Sequence, residues 1–324
     1  MTPATRVVAD LLVLRPGERL AIVHDDANRE IALAFEHAAQ EARAQPTRLE
    51  MEQIAPRPWT GCPRQVLGAI SSSDATLLAA AVAEGEYDAR LAMVGAAATA
   101  RARHIHMVGV SRRAFVASMA SSTARVFDLL RELAAAIRPS SRIRVASGAG
   151  TRLEVQMAPH LRWFQNGSAV RPGEWMTVPY GALVSSPASV RGVYVADGAV
   201  GGTRAGSLAK RPVTLRLEAG RVVSVECRDL AMRDHVARFV AEGHNRDRVG
   251  LVGLGANIGI VEPLGEITHD ENMPGVHLSL GEPLAQRTHA NWSAHGQLAF
   301  AAAGMDVELD GVPLVRQGRY LRFV

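Results

Sequence analysis

Two residue types are nearly missing from this chain of 324 residues: cysteine, present only as Cys62 and Cys227, and lysine, present only as Lys210. The two cysteines lie far apart and in no C-x-x-C spacing. They suggest neither a disulfide framework nor a zinc ribbon, and a reducing cytoplasm fits them. A single lysine, in the turn-like Ala-Lys-Arg-Pro, argues against Schiff-base chemistry. Arginine carries the basic side instead, and because the arginines are scattered, the formal charge of +4 implies no nucleic-acid partner. No apolar run approaches the ~20 residues that span a bilayer. The opening Met1-Thr-Pro-Ala-Thr-Arg6 lacks the basic-then-apolar order of a signal peptide. A soluble, intracellular protein without a membrane partner is expected. H-E-x-x-H, G-x-S-x-G and the phosphate-binding G-x-x-x-x-G-K-[ST] are also absent.

The length is enough for about two domains of ~150 residues. Through the first part, short apolar strands (19–24, 47–51, 75–79, 104–108) alternate with amphipathic helices (31–42, 87–101). That order predicts a parallel sheet covered on both faces, of flavodoxin-like character. A helix over 121–137 carries the stripe Val126, Leu129, Leu130, Leu133, Ile137 and stops at Arg138-Pro139. The domain boundary is placed there, giving an α/β domain over 1–139 and a β-rich α+β domain over 140–324. In the latter, strands are expected near 142–146, 151–157, 190–195, 213–217 and 222–227, the last two joined by a hairpin turn at 218–221.

Potential metal ligands are densest between Glu266 and Gln297. His269, Asp270 and Glu271 read as loop surface, and His289 as a turn residue. His277 differs. In Gly275-Val-His-Leu-Ser-Leu-Gly281 it alternates with Val276 and Leu278, so a rigid strand presents it on the opposite face.

Four stretches then resemble the thermophilic-type metalloaminopeptidases and their relatives, the iron-dependent 2,5-dihydroxypyridine 5,6-dioxygenases. They are Arg142-Ile-Arg-Val-Ala-Ser-Gly-Ala-Gly-Thr-Arg-Leu153; Arg171-Pro-Gly-Glu-Trp-Met-Thr-Val-Pro179 with Gly192-Val-Tyr-Val-Ala-Asp-Gly198; Gly253-Leu-Gly-Ala-Asn257; and Asp270-Glu-Asn272 to His277-Leu-Ser-Leu-Gly281 with Asn291-Trp-Ser-Ala-His295. Carried over residue by residue, the resemblance implies that Glu174, His277 and His295 bind metal. The aminopeptidases' second glutamate falls on Leu251 and their aspartate on Gln297, which brings no negative charge. A dinuclear peptidase site is therefore disfavoured.

The dioxygenase branch implies one divalent metal, Fe(II) favoured over Zn or Mn, on His277 and His295, with Gln297, Glu174 or Glu271 completing the shell. It also places a histidine from the first domain over a small-molecule substrate. His104 or His106 in His104-Ile-His-Met-Val108 matches that position and suits proton transfer near neutral pH. Arg162, Arg171 and Arg191 are candidate partners for an anionic ring. The expectation is a cytoplasmic, homodimeric dioxygenase that opens a hydroxylated (N-hetero)aromatic ring, with its site in the cleft between the domains. The alternatives are a metalloaminopeptidase or amidohydrolase, or a non-catalytic small-molecule-binding relative.

Overall fold

The computed structural model describes residues 1–137, 141–202, 208 and 210–321. The chain forms two compact units, Met1–Met119 with Ser168–Tyr180, and Ala120–Gly167 with Gly181–Val324. The boundary expected at Arg138-Pro139 falls on residues outside the described ones. The helix before it, Thr123–Ala136, belongs to the second unit.

The first unit is built on a five-stranded parallel sheet in the order Gln45–Glu50, Arg19–His24, Ala75–Ala80, Arg103–Val108, Trp175–Thr177. Its central strand Ala75–Ala80 is buried at every position, as a strand packed on both faces must be. The turn chemistry read at Asp25-Asp-Ala-Asn28 is present, with the Asn28 backbone N–H donating to the Asp25 carboxylate at 3.0 Å. The fifth strand, Trp175–Thr177, comes from the segment that leaves and re-enters this unit, and it closes one edge of the sheet.

The second unit is β-rich. Eight antiparallel strands form one sheet and five form another, the latter in the order Gln297–Phe300, Gly275–Gly281, Val249–Gly255, Ala182–Ser185, Phe164–Asn166. The expected hairpin joins Val213–Glu218 to Arg221–Glu226. Ala219 (φ 48°) and Gly220 (φ 78°) both adopt positive φ there, which matches the right-handed twist of the paired strands. The two sheets are tied by Tyr194, whose buried hydroxyl reaches the Val276 and Phe300 carbonyls at 3.1 and 3.2 Å. Among the described residues no helix is long and apolar enough to cross a membrane.

Candidate functional site

Within the first unit the strand Arg103–Val108 places His104, His106 and Val108 on one face, because side chains alternate along a strand. The register sets Thr76 beside His104 and Leu78 beside His106. That face looks toward the helix Tyr87–Thr99, whose Ala89, Met93 and Ala97 pack with Leu78, Ala80 and Val108. The polar groups on it form a chain. Thr76 Oγ1 lies 2.7 Å from His104 Nδ1, and His104 Nε2 lies 3.2 Å from His106 Nδ1. The Trp175 ring meets His106 edge-on, with centroids 6.2 Å apart.

His104 is 1% exposed, and burial lowers its pKa to about 4. Burial, then the charges of His104 and Arg90, hold His106 well below the ordinary imidazole value. Both rings are therefore neutral near pH 7, and the chain has two proton arrangements. In one, His106 Nδ1–H donates to His104 Nε2 and His104 Nδ1–H donates to Thr76, leaving His106 Nε2 as a lone pair. In the other, every bond is reversed. Such a line of groups can accept a proton at one end and redistribute it along its length.

Glu174 also belongs to the first unit. Its side chain is exposed, and its backbone carbonyl accepts the His104 N–H at 3.1 Å.

His277, His295 and Gln297 lie in the second unit, and the structure does not bring His277 to the other two. The ladder between Gly275–Gly281 and Gln297–Phe300 pairs Leu278 with Phe300 and Gly281 with Gln297. Gln297 thus sits four residues from His277 along the strands, about 13 Å at ~3.4 Å per residue. The pairing continues beyond, with Glu282 N–H donating to the Gly296 carbonyl at 2.9 Å. His295 is therefore farther still, and exposed. Ligands sharing one ion need donor atoms roughly 3–4 Å apart, given bonds of ~2 Å. The register is fixed by core packing of Leu278, Leu280, Leu298 and Phe300, all buried, and a slip by one residue would turn this apolar set outward.

His277 itself is 3% exposed. Its Nε2–H donates to the Met273 carbonyl at 2.8 Å, which leaves Nδ1 as a buried lone pair with no partner. His269 Nε2 is likewise buried without a partner, but among the described residues no group of three or more His, Cys, Asp or Glu is placed to hold an ion. Leu251, at the aminopeptidases' glutamate position, is buried in the strand Val249–Gly255.

Other sequence expectations need correction. His269 and Asp270 are not loop surface. They lie in the short helix Ile267–Asp270 at 1% and 0% exposure, with His269 Nδ1–H donating to the Asp270 carboxylate at 2.8 Å. Glu271 is half-buried, and burial, reinforced by Asp270, raises its pKa to about 7. Arg191, a candidate anion partner, is committed to Glu154 at 2.7 Å.

The sequence reading also missed Thr76, Trp175 and Arg90. Thr76 and Trp175 carry no local signal, because only strand register brings them to the histidines. Arg90 did carry one, since a cation in the first turn of a helix opposes the helix dipole.

Comparisons with known proteins fit this architecture. No curated protein matches the chain. The solved 2,5-dihydroxypyridine dioxygenase from Pseudomonas putida KT2440 matches with TM-score 0.69 at 15% identity, over 99% of this chain and 96% of that one. Wild-type AmpT from Thermus thermophilus matches with TM-score 0.70 at 16% identity, over 98% of each chain. These likenesses establish a shared fold. The family model described as "NicX: 2,5-dihydroxypyridine 5,6-dioxygenase" matches residues 1–257, a span that includes both site histidines of the first unit and ends before His277. The chain therefore belongs to the 2,5-dihydroxypyridine 5,6-dioxygenase family, a family of enzymes.

Proposed function

We propose that this chain is a dioxygenase opening a hydroxylated, nitrogen-containing aromatic ring, and that His106, backed by His104 and Thr76, handles the proton of the ring hydroxyl. The observation that supports this reading is the continuous Thr76–His104–His106 chain beside Trp175. In the arrangement with His106 Nε2 bare, the hydroxyl proton passes to that nitrogen. The electron-rich ring oxide then remains as the species that dioxygen attacks. His104 holds the tautomer of His106, as an orienting partner does for a catalytic imidazole. Trp175 supplies an apolar edge for a flat ring.

The Fe(II) implied by the resemblance finds two buried, unpartnered imidazole nitrogens among the described residues of the second unit, His277 Nδ1 and His269 Nε2. His295 and Gln297 lie along the strands away from His277. The homodimer and the cytoplasmic setting remain part of this proposal. A peptidase gains no support from the buried Leu251.

Oxygen uptake with 2,5-dihydroxypyridine and related hydroxylated pyridines tests the reading, with and without added ferrous ion. Loss of the general base typically costs ~10²–10⁴-fold, so His106→Gln is expected to lower kcat by that order, and Thr76→Val by less. Full turnover by His106→Gln, or no uptake by the wild type under either condition, would overturn it.

A further inference from the structure

A cavity of about 560 Å³ opens at the end of the first unit's parallel sheet where the strands begin. Its charged lining is unequal: Arg15, Arg101, Arg103 and Arg171 stand against Glu18 and Asp74. Arg171 comes from the segment that re-enters this unit, and the other five come from the first pass of the chain. The lining includes none of Thr76, His104, His106 or Trp175.

One of the four arginines is already spent. Arg103 is buried, and its Nη2 donates to the Glu18 carboxylate at 2.6 Å while Nη1 donates to the Leu12 and Val13 carbonyls at 2.7 and 3.0 Å. Asp74 is engaged as well, accepting the Arg19 backbone N–H at 2.8 Å. Arg15, Arg101 and Arg171 are exposed, and among the described residues their guanidiniums make no hydrogen bond or ion pair. Other arginines of this unit do find carboxylates, as Arg29, Arg48 and Arg57 do. Four cations and two anions leave two positive charges facing one opening.

The rim is held in an uncommon backbone conformation. Val13 and Arg101 adopt φ of 46° and 58°, a region that a non-glycine residue seldom enters and a β-branched one hardly ever. Arg103 pins the Val13 turn through the two carbonyl bonds above. The Arg101 turn is closed by its own N–H and that of Ala102, which donate to the Ala98 and Ala97 carbonyls at 3.1 and 2.8 Å. Strained residues persist where their surroundings over-determine them, and they gather at binding sites. A glycine at position 101 would relieve the strain, but only by giving up the guanidinium.

The chemistry of the lining names the ligand class. A guanidinium fork matches phosphate and carboxylate oxygens two at a time. Like charges that share a cavity repel until an anion lies between them. The volume is that of a small-molecule site.

We propose that this cavity binds a small dianion, a phosphate monoester or a dicarboxylate, through Arg15, Arg101 and Arg171. The site is independent of the histidine chain and of the reaction assigned to it. The re-entering segment is joined to the first pass here by the Val170 N–H on the Leu11 carbonyl at 2.8 Å and the Gly173 N–H on the Ala102 carbonyl at 3.3 Å. A bound dianion adds an ionic link between the same two passes.

The test is calorimetric titration of the full chain with inorganic phosphate and, separately, with succinate, in a chloride buffer of low ionic strength. Wild type is expected to bind at least one of them in the millimolar range or tighter. A hydrogen bond to a charged group is worth a factor of ~10 or more in affinity, so Arg101→Gln and Arg171→Gln are each expected to weaken binding about tenfold. Arg113→Gln removes the same charge from an exposed position outside the cavity and should leave affinity unchanged. Melting temperatures check the fold and give a second readout, because a ligand of the native chain raises them by mass action. The rise should be smaller in Arg171→Gln than in wild type, and Arg15→Gln replaces any variant that fails to fold.

Binding of phosphate alone assigns a phosphate ligand, binding of succinate alone a dicarboxylate, and binding of both a site selective for charge; each supports the proposal. Binding of neither, or cavity variants that bind no worse than Arg113→Gln, overturns it.

Discussion

His277 gives its Nε2 hydrogen to the carbonyl of Met273, four residues earlier and 2.8 Å away, and this bond leaves Nδ1 as the ring's bare nitrogen. The bond depends on backbone proximity: a Cβ on Gly255 would overlap that same Met273 carbonyl oxygen. The glycine of the G-x-G-x-N segment thus serves close backbone approach in the second unit, and the buried imidazole is anchored by main chain.

Metal content should therefore be insensitive to the residues that the ladder carries away from His277. Wild type, His295→Ala and Gln297→Ala, each purified with ferrous ion present, are expected to hold the same amount of iron by elemental analysis. Losing a full equivalent in either variant would mean that these side chains reach His277 in solution. His277→Ala should instead act on stability, since it leaves the buried Met273 carbonyl unpaired at a cost of ~1–3 kcal/mol.

Acid should destabilise the first unit through His104. Its ordinary pKa is 6.5, and in the fold burial lowers it to about 4. The unfolded chain therefore binds the proton first. The stabilising contribution is fully present above pH ~6.5 and is lost as pH falls from there to about 4. At ~1.4 kcal/mol per pH unit it amounts to ~3 kcal/mol. Urea titrations at stepped pH should show this slope, reduced in His104→Asn; an identical slope in the variant would contradict the assignment.

Arg57→Met should be among the most damaging single changes in the first unit. The Arg57 side chain is 13% exposed, and it neutralises Asp25 and Glu86 at 2% and 3%. Removing one partner of a buried charge cluster costs ~3–5 kcal/mol, here with two carboxylates left behind. Chemical denaturation measures the loss, and a change below 1 kcal/mol would show that water reaches the cluster.

The sequence revealed the α/β-then-β order because hydrophobic periodicity is local. The strand over 19–24 and the helix beginning at Tyr87 follow from composition alone. His104 and His106 were equally legible, being neighbours on one strand. Their partners were not, because Thr76 and Trp175 arrive by register between strands 28 and 71 residues away from them in sequence. The placement of His295 and Gln297 relative to His277 was not legible for the same reason. Motif spacing gives order along the chain, but the buried Leu278–Phe300 pairing decides how far apart two ligands lie.

Because Trp175–Thr177 is the fifth strand of the first unit's sheet, the polypeptide enters that unit twice. No single cut releases it intact. A fragment ending at residue 139 would carry the strand Arg103–Val108 as an open edge, with the backbone of His104 and His106 free to pair with another chain. A cut or fusion at one junction would therefore part His104 and His106 from Trp175, the neighbour that the re-entering strand brings to them.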